Sequence, residues 1–272
     1  MKDTHLIVHF LYFCKQKNIM FPFGYLKLFM APLMIVLGLS FCQPHPPLSD
    51  DSFVSYVVDP ATQDLAFYWK DDTGAIISTF NNLKLFVESK NLTLVFAING
   101  GMFKGDYSPK GLYIENGKQI HPIDKKKGRG NFYMKPNGVL YITDKKIPSI
   151  CKTTDFKNNK HIQYATQSGP MLIINGQIHP TFKPNSKHVN IRNGVGVLPD
   201  NKLLFAISKE PVNFYDFASF FLRKGCKNAL FLDGMLSEMY LPEQNWVQLD
   251  TNFGVMIGVT KPISIQTLPT NE

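Results

Sequence analysis

Phe96-Ala97-Ile98-Asn99-Gly100-Gly101-Met102-Phe103 ends the apolar run Leu92–Ile98 in an asparagine and two glycines. Seven mostly aliphatic residues followed by Gly-Gly read as a buried strand running out into a loop whose backbone bends sharply or approaches something closely. Tandem glycines also suit a plain turn. Three further stretches repeat the design, with a small or polar group beside glycine at the border of an apolar run. They are Gln167-Ser168-Gly169-Pro170, Ile191-Arg192-Asn193-Gly194-Val195-Gly196 and Phe231-Leu232-Asp233-Gly234-Met235-Leu236-Ser237. Loops placed at strand ends by a rigid scaffold are the usual carriers of chemistry.

Outward from that strand the chain reads as alternating short elements. Residues 53–58 and 63–69 flank Asp59-Pro60-Ala61-Thr62 and predict a hairpin. Phe80, Leu83, Phe86 and Val87 lie near helical spacing behind Ser78 or Thr79 as cap, which predicts a helix packed beside Leu92–Ile98. Residues 111–115, 130–134 and 139–143 read as a meander, punctuated by Asn116-Gly117 and Pro136-Asn137-Gly138. The polar stretch 144–160 reads as a surface excursion, followed by strands at 161–166 and 170–174 and a turn at Asn175-Gly176. Residues 195–198 and 202–208 form another pair.

The clearest helix follows. Asn213 caps it, Phe214, Phe217, Ala218, Phe221 and Leu222 give its apolar stripe, and Gly225 stops it. A strand at 229–232 comes next, and this β-helix-β order predicts parallel pairing of the two strands with the helix as crossover. A last strand at 253–259 closes the domain. The expected fold class is α+β: a single domain with a large mixed, mostly antiparallel sheet and two or more packed helices.

Composition bounds the partners. With 272 residues, 44% of them hydrophobic, the chain has ample material for a core. The net charge is +8, and beyond residue 42 there remain 25 basic against 20 acidic residues. This mild excess fits an anionic ligand. There is no basic stripe with interleaved aromatics and no zinc-finger spacing, which argues against nucleic acid as a partner. Cys14, Cys42, Cys151 and Cys226 make no metal-ligand pattern, so no metal site is expected; Cys151 and Cys226 could pair in an oxidising compartment, but two cysteines in a chain of this size are more often free and buried.

Lys27 precedes an uncharged apolar block that ends in Leu39-Ser40-Phe41-Cys42 and the Pro-rich Gln43–Pro47. Residues 1–47 therefore read as an export signal or lipoprotein leader with its linker, residues 48–262 as the domain and 263–272 as a polar tail. That reading puts the protein outside the cytoplasm, in a bacterial periplasm or cell envelope. A lipid on Cys42 or an uncleaved N-terminal anchor would hold it to the membrane; Phe41 departs from the small residue usual before a lipidated Cys, so an ordinary cleaved signal stays open beside these.

Asp233 leads the candidates for chemistry, because a carboxylate straight after Ala229-Leu230-Phe231-Leu232 sits at the mouth of a buried strand. The competing reading is a turn Asp bonded to backbone amides. Glu238 is a doubtful partner, since strand alternation sets it opposite Ser237. Arg192 is a fixed positive charge at the start of a glycine-rich strand and suits a phosphate or carboxylate, or an ion pair with an acid. Asn99 with the Gly100 and Gly101 amides suits a small nest for an anionic oxygen. Ser168 lacks the elbow of a serine hydrolase.

Together these four motifs resemble the phosphodiester glycosidase family over about residues 53–260. The resemblance implies an α+β domain with a pocket lined by these loops. It implies hydrolysis of a sugar-1-phosphodiester on its glycosidic side without a cofactor, with a glycan or sugar phosphate as the substrate. By position, Asp233 would be acid/base or orient water, Arg192 would hold phosphate, and Asn99 would complete the catalytic set. Gly100, Gly101, Phe103, Ser168, Gly169, Asn193, Gly234 and Ser237 would form the substrate-binding surround. The alternative from another class is an envelope lipoprotein that binds glycan or phosphoglycan in the same pocket without cleaving it.

Overall fold

The structure is a computed structural model that describes residues 48–234 and 236–263. Its strands in chain order begin with β1 (Phe53–Val58), β2 (Asp64–Tyr68), β3 (Leu92–Asn99), β4 (Tyr113–Glu115), β5 (Lys118–His121), β6 (Gly138–Thr143), β7 (Pro148–Lys152) and β8 (Ile162–Ser168). They continue with β9 (Met171–Ile174), β10 (Gln177–Ile178), β11 (Asn193–Val197), β12 (Leu203–Ser208), β13 (Asn228–Asp233), β14 (Met239–Leu241), β15 (Trp246–Val247) and β16 (Met256–Pro262). Among the described residues two α-helices accompany them, α1 (Phe80–Glu88) and α2 (Phe214–Arg223). The α+β single domain, mostly antiparallel and with packed helices, is what the sequence predicts; in place of one large mixed sheet, however, the paired strands are antiparallel throughout. The strands divide among three sheets, ordered β1-β12-β11-β13-β9-β10, β15-β14-β3-β16-β2 and β5-β4-β8-β6-β7.

All three sheets turn one face to a shared interior. Val54, Val195, Phe205, Leu230 and Leu232 come from the first, Phe67, Phe96, Ile98 and Ile257 from the second, and Tyr113, Leu140 and Ile150 from the third. Each helix covers the other face of one sheet. Phe217, Ala218, Phe220 and Phe221 of α2 pack on Leu172, Ala206 and Phe231, while Phe80, Leu83 and Val87 of α1 pack on Leu94 and Ala97. Coverage on both faces explains why β3 and β12 are continuous apolar runs rather than alternating ones.

The helix caps act as their sequences predict. The Asn213 side chain accepts from the Asp216 N–H at 2.9 Å, and Gly225 follows α2 at φ +86°. Thr79 accepts from the Asn82 N–H at 3.0 Å at the start of α1.

Several pairings differ from expectation. β1 and β2 do not form a hairpin: β1 pairs with β12 and β2 with β16, so the turn at 59–62 passes the chain between sheets. Alternation identifies a strand but not its neighbour. β12 and β13 run the same way, yet they are not paired; β11 lies between them, antiparallel to both. Residues 130–134 hold a 3-10 turn (Asn131–Tyr133), and the Asn116-Gly117 turn joins β4 to β5 instead. The excursion at 144–160 contains β7. Cys151 and Cys226 are free, and burial pushes their thiols up to about 11 and about 12. The leader, Cys42 and all but the first residue of the tail lie outside the described residues.

Candidate active site

Four strand ends meet where the sequence placed its glycine loops. β3 ends at Asn99, β8 at Ser168 and β13 at Asp233, while β11 begins at Asn193. Asn193 and Asp233 are register partners at a bulge, the irregularity that commonly re-aims a side chain at the edge of a site.

Asn193 is the hub. Its amide nitrogen donates to the Asn99 backbone carbonyl at 3.0 Å and to Asn99 Oδ1 at 2.5 Å. Its Oδ1 accepts from the Asp233 N–H at 2.8 Å and from Ser237 Oγ at 3.4 Å. Ser237 Oγ also donates to the Asp233 carbonyl at 2.5 Å, and Asp233 Oδ1 accepts from the Gly234 N–H at 2.7 Å. Ser168 Oγ donates to the Leu232 carbonyl at 2.7 Å, tying β8 to β13. Asn99, Ser168, Asn193, Asp233 and Ser237 are all buried. The fork of each amide is fixed by these partners: Asn99 Oδ1 also accepts from the Glu238 N–H at 3.2 Å, which directs Asn99 Nδ2 away from them.

The glycines shape the site by leaving out side chains that would clash with its walls. The Gly100 N–H is spent on the Val255 carbonyl at 2.7 Å, so the nest expected of the Gly100 amide does not form. A Cβ on Gly100 would lie 2.7 Å from Ile257, on Gly101 2.7 Å from Thr166 Oγ1, on Gly169 2.5 Å from Asn137, and on Gly234 2.4 Å from Phe231. Phe103 leaves this loop for a separate cleft, where it stacks on Tyr107 with ring centroids 5.6 Å apart. That loop docks on Gly254, where a Cβ would meet Phe103 Cβ at 2.4 Å and the Tyr107 carbonyl at 2.8 Å. Gly254→Ala is expected to destabilise the protein by about 1–3 kcal/mol through this overpacking, read as a lower urea midpoint.

Arg192 precedes Asn193, but its guanidinium is held by other groups. Nε donates to the Val212 carbonyl at 2.8 Å and Nη2 to the His188 carbonyl at 3.0 Å, and the group stacks 3.7 Å above the Phe214 ring. Only 2% of the residue is exposed, and burial pushes its pKa down to about 10. Its cleft, about 500 Å³, is also lined by Asn131, Lys183, Ser186, His188 and Asn190. Consecutive Cα atoms are 3.8 Å apart and paired strand residues about 5.5 Å, so the Cα atoms of Arg192 and Asp233 lie within about 9 Å.

Among the described residues, three buried side-chain atoms have no hydrogen-bond partner: Asn99 Nδ2, Arg192 Nη1 and Glu238 Oε2. Buried polar atoms are nearly always paired, so orphans gathered on the loops of one site point to a ligand or ordered water. Glu238 is the residue that the sequence reading undervalued. Alternation does set its side chain apart from Ser237, but its N–H holds Asn99 and its Oε1 accepts from the Thr251 hydroxyl. Glu115 and Asp106 take no part: Glu115 accepts from Tyr113 Oη, and Asp106 caps the Ser108 turn.

Residues 93–260 match the sequence pattern of the phosphodiester glycosidase family. The chain belongs to this family. It is accordingly a phosphodiester glycosidase-like hydrolase. It is also similar to the uncharacterized protein YigE of Escherichia coli (strain K12), with 37% identity over 218 residues that cover 80% of this chain and 84% of that one. Among solved structures it resembles the catalytic domain of zebrafish N-acetylglucosamine-1-phosphodiester alpha-N-acetylglucosaminidase, auto-inhibited by its pro-peptide. The TM-score is 0.53 with 13% identity, over 79% of this chain and 85% of that one. A candidate exported protein of Burkholderia pseudomallei matches with a TM-score of 0.50 and 10% identity, over 76% and 73%. At these identities the two structures attest the fold.

Phe182, in the wall of the Arg192 cleft, is backed by a pH-sensitive group. His179 is buried, stacks on Phe182 at 4.6 Å and faces the Lys135 carbonyl at 3.0 Å; Phe182 in turn stacks on Phe214. Burial lowers the His179 pKa. In the pH range where the unfolded imidazole is protonated and the folded one is not, stability rises with pH. It is therefore expected to be complete above about pH 6.5 and to fall below it. Urea midpoints measured across that range should show the slope, and His179→Gln should flatten it.

Proposed function

We propose that this protein hydrolyses a sugar-1-phosphodiester on its glycosidic side, using Asp233 on the attacking water and Arg192 with Asn99 on the phosphate. The observation that carries this reading is the pair of buried donors without acceptors, Arg192 Nη1 and Asn99 Nδ2, the first on the residue before Asn193 and the second on the residue that Asn193 ties to the Asp233 turn. A phosphodiester supplies anionic oxygens for such donors. A guanidinium whose charged form is penalised by burial gains most from an anion placed against it. Lys183, in the same cleft, adds to that field.

In the proposed reaction the Asp233 carboxylate takes a proton from water as the water oxygen bonds to the anomeric carbon. The bond between that carbon and the phosphate oxygen breaks, and the phosphomonoester departs with the electron pair. A phosphate leaves far more readily than an alcohol, so one carboxylate plus donors on the leaving group suffices without a second acid. Asn193 and the Gly234 N–H hold Asp233 in place by its own amide and Oδ1.

Export, with residues 1–47 as leader and a lipid or anchor at the membrane, belongs to the same proposal. Its supports are the charged-then-apolar leader and the description of one structural relative as a candidate exported protein. The test is release of free sugar from a panel of sugar-1-phosphate methyl diesters. Arg192→Met is expected to raise KM on a cleaved diester by about ten- to hundredfold, the worth of one charge-assisted hydrogen bond. Release by no diester would leave a glycan-binding protein.

A further inference from the structure

We infer that the cleft between Phe103, Tyr107, Leu236, Thr251 and Asn252 takes the sugar ring of the substrate; this rests on the phosphodiester reading above. The cleft encloses about 380 Å³, within the range of small-molecule sites. Its two walls continue the two loops of the catalytic network. Phe103 lies four residues beyond Asn99, and Leu236 three beyond Asp233, so the Leu236 Cα lies within about 11 Å of the Asp233 Cα.

The lining is chemically unlike that of the Arg192 cleft. Phe103 and Tyr107 stack with their planes 21° apart, and Tyr107, 36% exposed, adopts φ +59°, a conformation rare for an aromatic residue. That backbone is over-determined by the Trp69 Nε1–H, which donates to the Tyr107 carbonyl at 2.9 Å, and by the Gly254 docking. An aromatic face held in this way, with an apolar Leu236 and a few neutral polar groups, suits the C–H face and hydroxyls of a pyranose rather than an anion. Thr251 commits its hydroxyl proton to Glu238, so toward the cleft it acts as an acceptor; Asn252 offers both a donor and an acceptor. Glu238 is thus a positioning residue that joins the cleft wall at Thr251 to Asn99. Phosphate on the Arg192 side and sugar on the Tyr107 side would place the scissile bond at the Asn99–Asp233 network.

The test uses methyl pyranosides, which carry no phosphate, titrated into the full chain by ligand-observed NMR. At least one is expected to bind. Tyr107→Ala should weaken it about tenfold, and Leu236→Trp, which fills the cleft, should abolish binding, while inorganic phosphate binds both variants as it binds the parent. The inference is overturned if the parent binds no pyranoside, or if both variants bind it unchanged. It is equally overturned if a long-chain alkyl phosphate occupies the cleft through its chain, which would assign the cleft to the aglycone. Pyranoside binding through the cleft without cleavage of any diester would keep this inference and defeat the hydrolytic one.

Discussion

Asp233→Asn is expected to lower kcat on a sugar-1-phosphodiester by about 10²–10⁴-fold, the usual contribution of a placed general base. The substitution keeps the shape of the side chain and leaves the Asp233 N–H on Asn193 Oδ1, so the folded structure should survive. The amide still accepts from the Gly234 N–H but no longer takes a proton from water. KM should change little, because the proposed phosphate contacts come from Arg192 and Asn99. A large rise in KM with kcat preserved would instead make Asp233 a turn residue bearing on substrate position.

Asn193→Leu should be the most damaging change to stability at the site. Leucine matches asparagine in size but supplies neither donor nor acceptor. It would leave the buried Asp233 N–H without its side-chain acceptor and strip one donor from the Asn99 carbonyl. At about 1–3 kcal/mol for each stranded group, the loss is about 2–6 kcal/mol, a large part of a domain's stability. Urea unfolding measures it directly. Activity should fall in parallel in the fraction that remains folded, since Asn193 carries the bonds between β3 and the Asp233 turn.

The sequence was most legible where one residue type has one physical use. The Asn213 cap, the Phe217 and Phe221 stripe and the Gly225 stop delimit α2 without reference to the rest of the chain. The four glycine loops marked the site because each glycine stands where a Cβ would collide with a neighbour. Pairing was less legible. The runs at 53–58 and 63–69 are strands, but their partners, β12 and β16, are remote in sequence, and nothing local to the turn at 59–62 says that the chain leaves one sheet for another.

Roles within the site divide in the same way. Asn193 reads as one member of a glycine motif, and only the three-dimensional network makes it the hub. The value of Glu238 lies in its main-chain N–H and in a contact to Thr251 thirteen residues on, which strand alternation does not report. The Arg192 guanidinium was legible as a positive charge at a strand start. Its enclosure was not, because Phe214 and the Val212 carbonyl come from α2 and the loop before it, and the His188 carbonyl is turned onto it by an irregular segment four residues upstream.

The central claim is that the bond broken lies between sugar and phosphate oxygen rather than between that oxygen and phosphorus. The most direct measurement is hydrolysis of a cleaved sugar-1-phosphate diester in heavy-oxygen water, with mass analysis of both products at single turnover. The account predicts the label at the anomeric hydroxyl of the released sugar and none in the phosphomonoester. Label in the phosphate would show attack at phosphorus and contradict it.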